Sequence, residues 1–150
     1  MFKKVKIEKV KVKMENRKEM NKKVKIEEQK KEKSKDLKER LYLFALRIVN
    51  FVKSLPRTWI ALEIGKQLLH SRTSVAANYE EACGAFSKDD FIYKINTSLK
   101  EAKESNYWLR LIRDSKIASG NELSYLIQES GEISNILGKS VKTARGNISV

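Results

Sequence analysis

The sequence is poor in the residues on which metal sites and catalytic centres depend. Its one cysteine, Cys83, excludes an internal disulfide and any site built from several cysteines, and favours a reduced thiol. Its one histidine, His70, belongs to none of the Glu-x-x-His pairs that di-metal sites in helix bundles use. The six glycines are scattered, so no glycine-rich loop is available to cradle a phosphate. These shortages predict a protein that is not an enzyme and has no metal or other cofactor.

Long hydrophobic runs are also missing. No stretch approaches the ~18 to 20 apolar residues of a membrane-spanning helix, and the basic start is not followed by the apolar segment of a signal peptide. Apolar residues still make up 41% of the 150 residues, which is enough for the core of one domain. We therefore expect one compact domain in the cytoplasm, with no membrane partner.

Positive charge, in contrast, is abundant and unevenly distributed. The formal net charge is +13, and residues 1–34 contain fourteen Lys or Arg against six Glu. This leader repeats Lys-Lys-Val-Lys-Ile-Glu at residues 3–8 and 22–27. Its composition favours a disordered segment, with a solvated helix as the alternative. An excess of this size attracts polyanions through a sequence-independent interaction that weakens with salt.

A first helix is predicted after the leader. Apolar residues recur at helical spacing from Leu37 to Leu55, and either Ser34 or Asp36 can accept the free amide hydrogens of a first turn. Pro56 ends this helix, because the residue before a proline is pushed away from helical angles.

Three further helices are predicted from capping signals. Thr58 can cap a second helix that reaches about residue 85, and Ser87 opens a capping box for a third that ends near residue 115. A turn at residues 119–121 then starts a fourth, which ends at Gly146.

Links of roughly three to six residues force consecutive helices to pack against each other in opposite directions. The predicted fold class is therefore all-α, with an antiparallel up-down-up-down four-helix bundle over residues 35–147. The leader, residues 1–34, precedes this bundle, and a short tail, residues 148–150, follows it.

A row of polar residues at intervals of four and three residues runs along the second helix: Gln67, Ser71, Ser74, Asn78 and Glu81. One interpretation is a ligand or catalytic site, but Ser71 and Ser74 lack a positioned base, and Cys83 lies some four turns from His70. Small polar residues between helices also fix their register. We favour a structural seam or a subunit interface, and assign the same role to three residues of the third helix: Glu101, Tyr107 and Trp108.

Three carboxylates could form a cluster if their helices bring them together: Glu81, Glu101 and Glu104. A metal site is disfavoured because no histidine accompanies them at the required spacing. We expect Glu81 to pair across the central helices with Arg110 or Lys103 instead.

The helices carry many cations outside their apolar faces, and these are candidates for contact with phosphates. We predict a nucleic-acid-binding surface from ten residues: Arg57, Lys66, Arg72, Lys88, Lys94, Lys100, Lys103, Arg110, Arg113 and Lys116. The net charge of +5 over residues 35–150 is ordinary for one solvated protomer. Repetition of that charge around an oligomer would give a strong field for RNA or DNA.

Three stretches follow an order that is characteristic of one family: Ile64–Ala82, Ser87-Lys88 with Phe91, and Leu99–Ala102 with Tyr107-Trp108-Leu109. They closely resemble the bacterial four-helix bundle proteins encoded by intervening sequences of large-subunit ribosomal RNA genes, the S23 ribosomal protein family. The resemblance covers residues 35–147. It implies a four-helix protomer that assembles into a ring-like homopentamer. It also implies kinship with the accessory variability protein of diversity-generating retroelements, which binds nucleic acid and a reverse transcriptase.

The chain departs from the family's commoner motif at three positions. His70 stands where Arg is usual, and Arg72 and Ala76 stand where Gly is usual. These changes are expected to leave the fold intact and to alter a charged surface.

Two hypotheses of function follow. The first is a non-catalytic, oligomeric accessory protein that binds nucleic acid, with RNA favoured by the genomic setting of the family. The alternative is an oligomeric scaffold that docks a protein partner, such as a reverse transcriptase, without binding nucleic acid itself.

Overall fold

The computed structural model describes residues 2–146, except for the side chain of Ser34, and is all-helical with no strand over that range. Its four helices are α1 (Phe2–Ser54), α2 (Trp59–Cys83), α3 (Lys88–Asp114) and α4 (Asn121–Gly146). None of these helices combines the length and the apolar content that crossing a membrane would require. The predicted tail lies outside the described residues.

The first helix begins much earlier than its apolar periodicity predicts. α1 continues through residues 34–36, so no helix start exists there for Ser34 or Asp36 to cap. The leader is helical from Phe2, so the favoured prediction of disorder is wrong and the alternative, a solvated helix, is confirmed. It contains no glycine or proline, and its Lys and Glu residues are good helix formers. Pairs such as Glu19 and Lys23 have the favourable order at a spacing of four residues.

The chain divides into two units between Leu37 and Lys38. The first unit holds the leader, and the second holds the remainder of α1 together with α2, α3 and α4. The helix packing described below is that of the second unit.

The capping residues of α2 and α3 act as the sequence predicts. The Thr58 side chain accepts a hydrogen bond from the backbone amide of Ala61 at 3.2 Å. The Ser87 side chain accepts one from the amide of Asp90 at 3.1 Å, and two acidic residues occupy the first turn of α3. Because each hydroxyl satisfies an amide that has no partner within its helix, both helix starts are fixed locally.

Contacts between α2 and α3 show that these helices run antiparallel. The hydroxyl oxygens of Ser71 and Ser105 lie 3.1 Å apart, and the Ser98 hydroxyl donates to the carbonyl of Val75 at 2.8 Å. The residue number therefore rises along α2 while it falls along α3.

The α1–α4 contact is also antiparallel, and ion pairs connect its two sides. The Arg40 guanidinium binds both carboxylate oxygens of Glu129, at 2.7 and 2.9 Å, and Arg47 binds Glu122 in the same two-pronged way. Hydrogen bonding to Arg40 holds the pKa of the largely buried Glu129 carboxyl below its usual value, against the opposing effect of burial. These bidentate pairs therefore fix the register of α1 on α4.

The core consists of side chains spaced alternately three and four residues apart, as in coiled coils. In α2 this buried row is Ala61, Gly65, Leu68, Arg72, Val75, Tyr79 and Ala82. In α3 it is Ile95, Ser98, Ala102, Ser105, Leu109 and Ile112. At Gly65, α1 comes so close that a Cβ atom would lie 3.3 Å from Val52. Since α1 contacts both α2 and α4, the packing is that of a four-helix bundle.

Candidate nucleic-acid interface

The most strongly basic part of the described chain is the first unit. Every side chain over residues 2–33 is exposed, including all fourteen Lys and Arg of the leader. No Lys or Arg in this range forms an ion pair with a carboxylate of the described chain. The positive charge of this helix is therefore available to an external polyanion.

The ten cations predicted on the bundle fall into different environments. Three of them form ion pairs with neighbouring carboxylates: Lys66 with Glu63 at 3.0 Å, Lys94 with Glu81 at 2.9 Å, and Arg113 with Asp114 at 2.8 Å. Arg110 donates to the side-chain oxygen of Asn106 at 2.9 Å. Five are exposed and form no ion pair within the described chain: Arg57, Lys88, Lys100, Lys103 and Lys116.

The tenth cation, Arg72, is not part of the surface. Its side chain is fully buried, with a relative exposure of 0%, so its assignment to a phosphate-binding surface is wrong. The guanidinium stacks 3.8 Å from the centre of the Phe44 ring and donates one hydrogen bond, of 3.2 Å, to the carbonyl of Leu41. Arg72 is buried because residue 72 lies in the buried row of α2, between Leu68 and Val75.

Arg72 is also poorly compensated in the core. Its Nε and Nη1 atoms have no hydrogen-bond partner among the described residues. Burial lowers the pKa of the guanidinium to about 9, while the charge of Glu129 acts in the opposite direction. Arg72 is therefore still charged at neutral pH. The ring of Phe44 supplies a cation–π attraction, which is stronger when the cation is desolvated.

The predicted polar row lies one residue away from the buried row of α2. Gln67 and Glu81 are exposed, Ser74 and Asn78 are partly exposed, and only Ser71 is fully buried. A shift of one residue is a rotation of about 100° around a helix, which is enough to move a row from the core to its edge. The apolar side chains occupy the core because their burial is favourable.

The polar contact that the structure does form between α2 and α3 includes two residues absent from the predicted seam. Ser98 and Ser105 are fully buried beside Ser71 and Val75. Their small side chains permit close helix packing. The Ser98 hydroxyl donates to the carbonyl of Val75, and the Ser105 hydroxyl contacts that of Ser71 and donates to the carbonyl of Glu101. Ser98 and Ser105 have the same three-and-four spacing from Ile95 as the buried residues of α3, and this spacing could have predicted the contact.

The carboxylates of the central helices do not assemble into a metal site. Among the described residues, no three His, Cys, Asp or Glu side chains lie close enough to hold a metal ion. Glu81 pairs with Lys94, and not with Arg110 or Lys103 as expected. Burial, followed by the charge of Glu104, raises the pKa of the Glu101 carboxyl, and His70 opposes this change.

The two aromatic residues assigned to the seam form a pair on α3. The rings of Tyr107 and Trp108 meet edge to face with their centres 5.0 Å apart. The Trp108 indole donates to Glu104 at 3.1 Å, and Tyr107 is half exposed. The ring of Tyr107 is thus partly accessible to a partner.

Asn106 fixes the register of α3 on α4. Its amide nitrogen donates to the carbonyl of Ile127 at 3.1 Å and contacts the hydroxyl of Ser130 at 2.9 Å. In this register Lys103 lines one groove together with two α4 lysines that were not predicted as site residues, Lys139 and Lys142. Both lysines lie outside the buried row of α4, and sequence periodicity does not indicate which α3 residues they face.

The chain is similar to known proteins in both sequence and structure. The family model of the 23S rRNA-intervening sequence protein matches residues 32–139. Among solved structures, the chain is similar to a protein of unknown function from the S23 ribosomal protein family of Bacteroides thetaiotaomicron VPI-5482, whose crystal structure has a resolution of 1.70 Å. The two share 37% identity with a TM-score of 0.67, over 73% of this chain and 97% of that chain. Comparison with curated proteins gives no significant match.

The burial of Arg72 generates a prediction about stability. Arg72→Met keeps an unbranched side chain in the core and removes two buried nitrogen atoms, Nε and Nη1, that have no hydrogen-bond partner among the described residues. We expect the free energy of unfolding to stay unchanged or to rise by about 1–3 kcal/mol. Arg72→Ala, the control, leaves a cavity and should lower it by about 2–5 kcal/mol. Urea unfolding followed by circular dichroism measures both, and a large loss of stability in Arg72→Met would contradict the account.

Proposed function

The chain belongs to the 23S rRNA-intervening sequence protein family, and we propose that it is a non-catalytic, oligomeric protein that binds the phosphate backbone of RNA. The observation that carries this proposal is the unpaired positive charge of the first unit, whose side chains over residues 2–33 are all exposed. RNA is favoured over DNA because the family takes its name from sequences that interrupt 23S rRNA.

The chemistry of such binding requires no built pocket. Lysine ammonium groups that approach phosphates release condensed counterions, and this release supplies most of the sequence-independent affinity. The lysines of the leader are exposed and would stay largely hydrated when they contact the phosphates of an RNA strand, so binding would carry little desolvation cost. We therefore propose binding that depends strongly on salt and weakly on sequence.

The non-catalytic part of the proposal is supported by how the serine hydroxyls of α2 are used. Ser71 is fully buried and bonds to the carbonyl of Leu68 and to Ser105, so it is inaccessible to a substrate. Ser74 donates to the backbone carbonyl of His70. Neither hydroxyl is bonded to a side chain that could act as its general base.

RNA binding is expected to show a steep salt dependence. A labelled 23S rRNA fragment and a random DNA duplex of equal length should both bind at low salt. Their affinities should fall at least about 100-fold between about 50 and 200 mM salt, because several phosphates are neutralised. Fluorescence anisotropy measures both titrations. No binding to either probe at low salt would contradict the proposal and favour the protein-docking alternative.

The role of the leader can be isolated within the full chain. Replacing Lys22, Lys23 and Lys25 by glutamine should weaken RNA binding about 10-fold or more and flatten the salt dependence, since up to three phosphate contacts are lost. The matched control replaces the same three residues by arginine, which keeps the charge and should keep the affinity. Equal affinities for the glutamine and arginine variants would exclude this segment from the interface.

We also propose that the chain forms a homo-oligomer, with a pentamer favoured by the family resemblance. Support comes from apolar side chains left exposed at the α1–α2 end of the bundle. Trp59 is 78% exposed and Leu62 is 52% exposed. Leu62 also lines a pocket of about 240 Å³, together with Leu55 and Pro56. Burial of such side chains against a second copy would be favourable.

Light scattering at micromolar concentration tests the assembly. We expect a mass near five times the 17.4 kDa of one chain. Leu62→Glu should lower the mass, because it places a charge where apolar contact is proposed. A monomer mass for the unaltered chain would remove the oligomer from the proposal.

A further inference from the structure

A basic groove lies between α3 and α4 in the second unit. Its volume is about 380 Å³, which lies in the range of small-ligand sites, ~300–1,000 Å³. Leu99 and Lys103 line it from α3, and Asn135, Gly138, Lys139 and Lys142 line it from α4.

The groove exists because α4 has little side-chain bulk at this point. Gly138 has no side chain, and a Cβ atom added there would meet nothing within 4 Å. The Ser134 hydroxyl, one turn earlier, turns back to donate to the carbonyl of Ser130 at 2.8 Å. The space beside α3 is therefore left open, with Leu99 contributing apolar surface.

The polar side chains around this space are suited to an anion. Lys103, Lys139 and Lys142 are all exposed and form no ion pair with any described carboxylate. The Asn135 side chain adds an amide that can donate hydrogen bonds. Three lysines from two helices thus line one concave surface. The positive charges of the three lysines repel one another. An anion in the groove would be attracted by all three and would reduce this repulsion.

We propose that the α3–α4 groove is a phosphate-binding site that holds one or two backbone phosphates of an RNA strand. This inference rests on the proposed function and adds to it a specific site on the bundle. Flexible lysines bind phosphate as point charges without demanding one orientation. The groove therefore suits a backbone of any sequence, and its open side lets a strand continue in both directions.

Steric filling of the groove tests this site without changing the charge of the protein. Gly138→Leu should occupy the open space and weaken RNA binding about 10-fold or more. Gly131→Leu is the matched control, because Gly131 lies one heptad earlier on α4, a Cβ there also meets nothing within 4 Å, and it does not line the groove. The control should bind RNA as the unaltered chain does, and circular dichroism should show equal helicity for both variants.

Charge removal gives an independent second variant. Lys139→Gln combined with Lys142→Gln should weaken RNA binding and reduce the slope of log affinity against log salt by about 1 to 2. Unchanged binding in both this variant and Gly138→Leu would overturn the groove site while leaving RNA binding by the leader intact. If the unaltered chain does not bind RNA at all, the proposed function fails together with the site.

Inorganic phosphate distinguishes a strand from a free ion. At equal ionic strength, phosphate should displace RNA from the unaltered chain no better than chloride does, because a strand contacts several cations at once. Binding of free phosphate to the unaltered chain but not to Gly138→Leu, with equal RNA affinities for the two proteins, would show that the groove binds the free ion and overturn its assignment to RNA.

Discussion

The bundle depends on one constraint, the alternation of three and four residues between buried positions in each helix. This spacing keeps one face of each helix against its neighbours and decides which residues are removed from water. It places Arg72 inside the core, although a charged residue is costly there. It also places Ser98 and Ser105 of α3 against α2, where their hydroxyls meet the Val75 carbonyl and the Ser71 hydroxyl and fix the relative positions of the helices. Apart from Ser71, the predicted polar row, one residue away, is left at the edge.

The lysines and arginines outside the buried rows differ in whether a carboxylate pairs with them. Some are neutralised by carboxylates on the surface, as Lys94 is by Glu81, and such exposed pairs contribute little to stability. Others form no ion pair with any carboxylate of the described residues and remain available to a polyanion. The α3–α4 register, fixed by Asn106, then brings three of these together along one groove. The proposed function depends on charge, but the contacts that position the groove lysines are uncharged.

Local sequence signals predicted the starts of α2 and α3 and the end of α1, because caps and breakers act within a few residues. Thr58 and Ser87 marked the two starts, and Pro56 marked the end of α1. Contacts between helices were harder to predict, since periodicity identifies a face but not its neighbour. That is why Glu81 was assigned the wrong partner and the α4 lysines were missed. The helical leader was underestimated because composition alone does not separate a solvated helix from a disordered chain.

Lysine acetylation of the full chain, measured by mass spectrometry with and without RNA, tests whether RNA binds the leader and the α3–α4 groove. We predict that RNA slows acetylation of the leader lysines and of Lys103, Lys139 and Lys142. Lys53, which is exposed in the pocket at the α1–α2 end, should react at the same rate in both conditions. Equal rates with and without bound RNA at the leader and groove lysines would contradict this prediction.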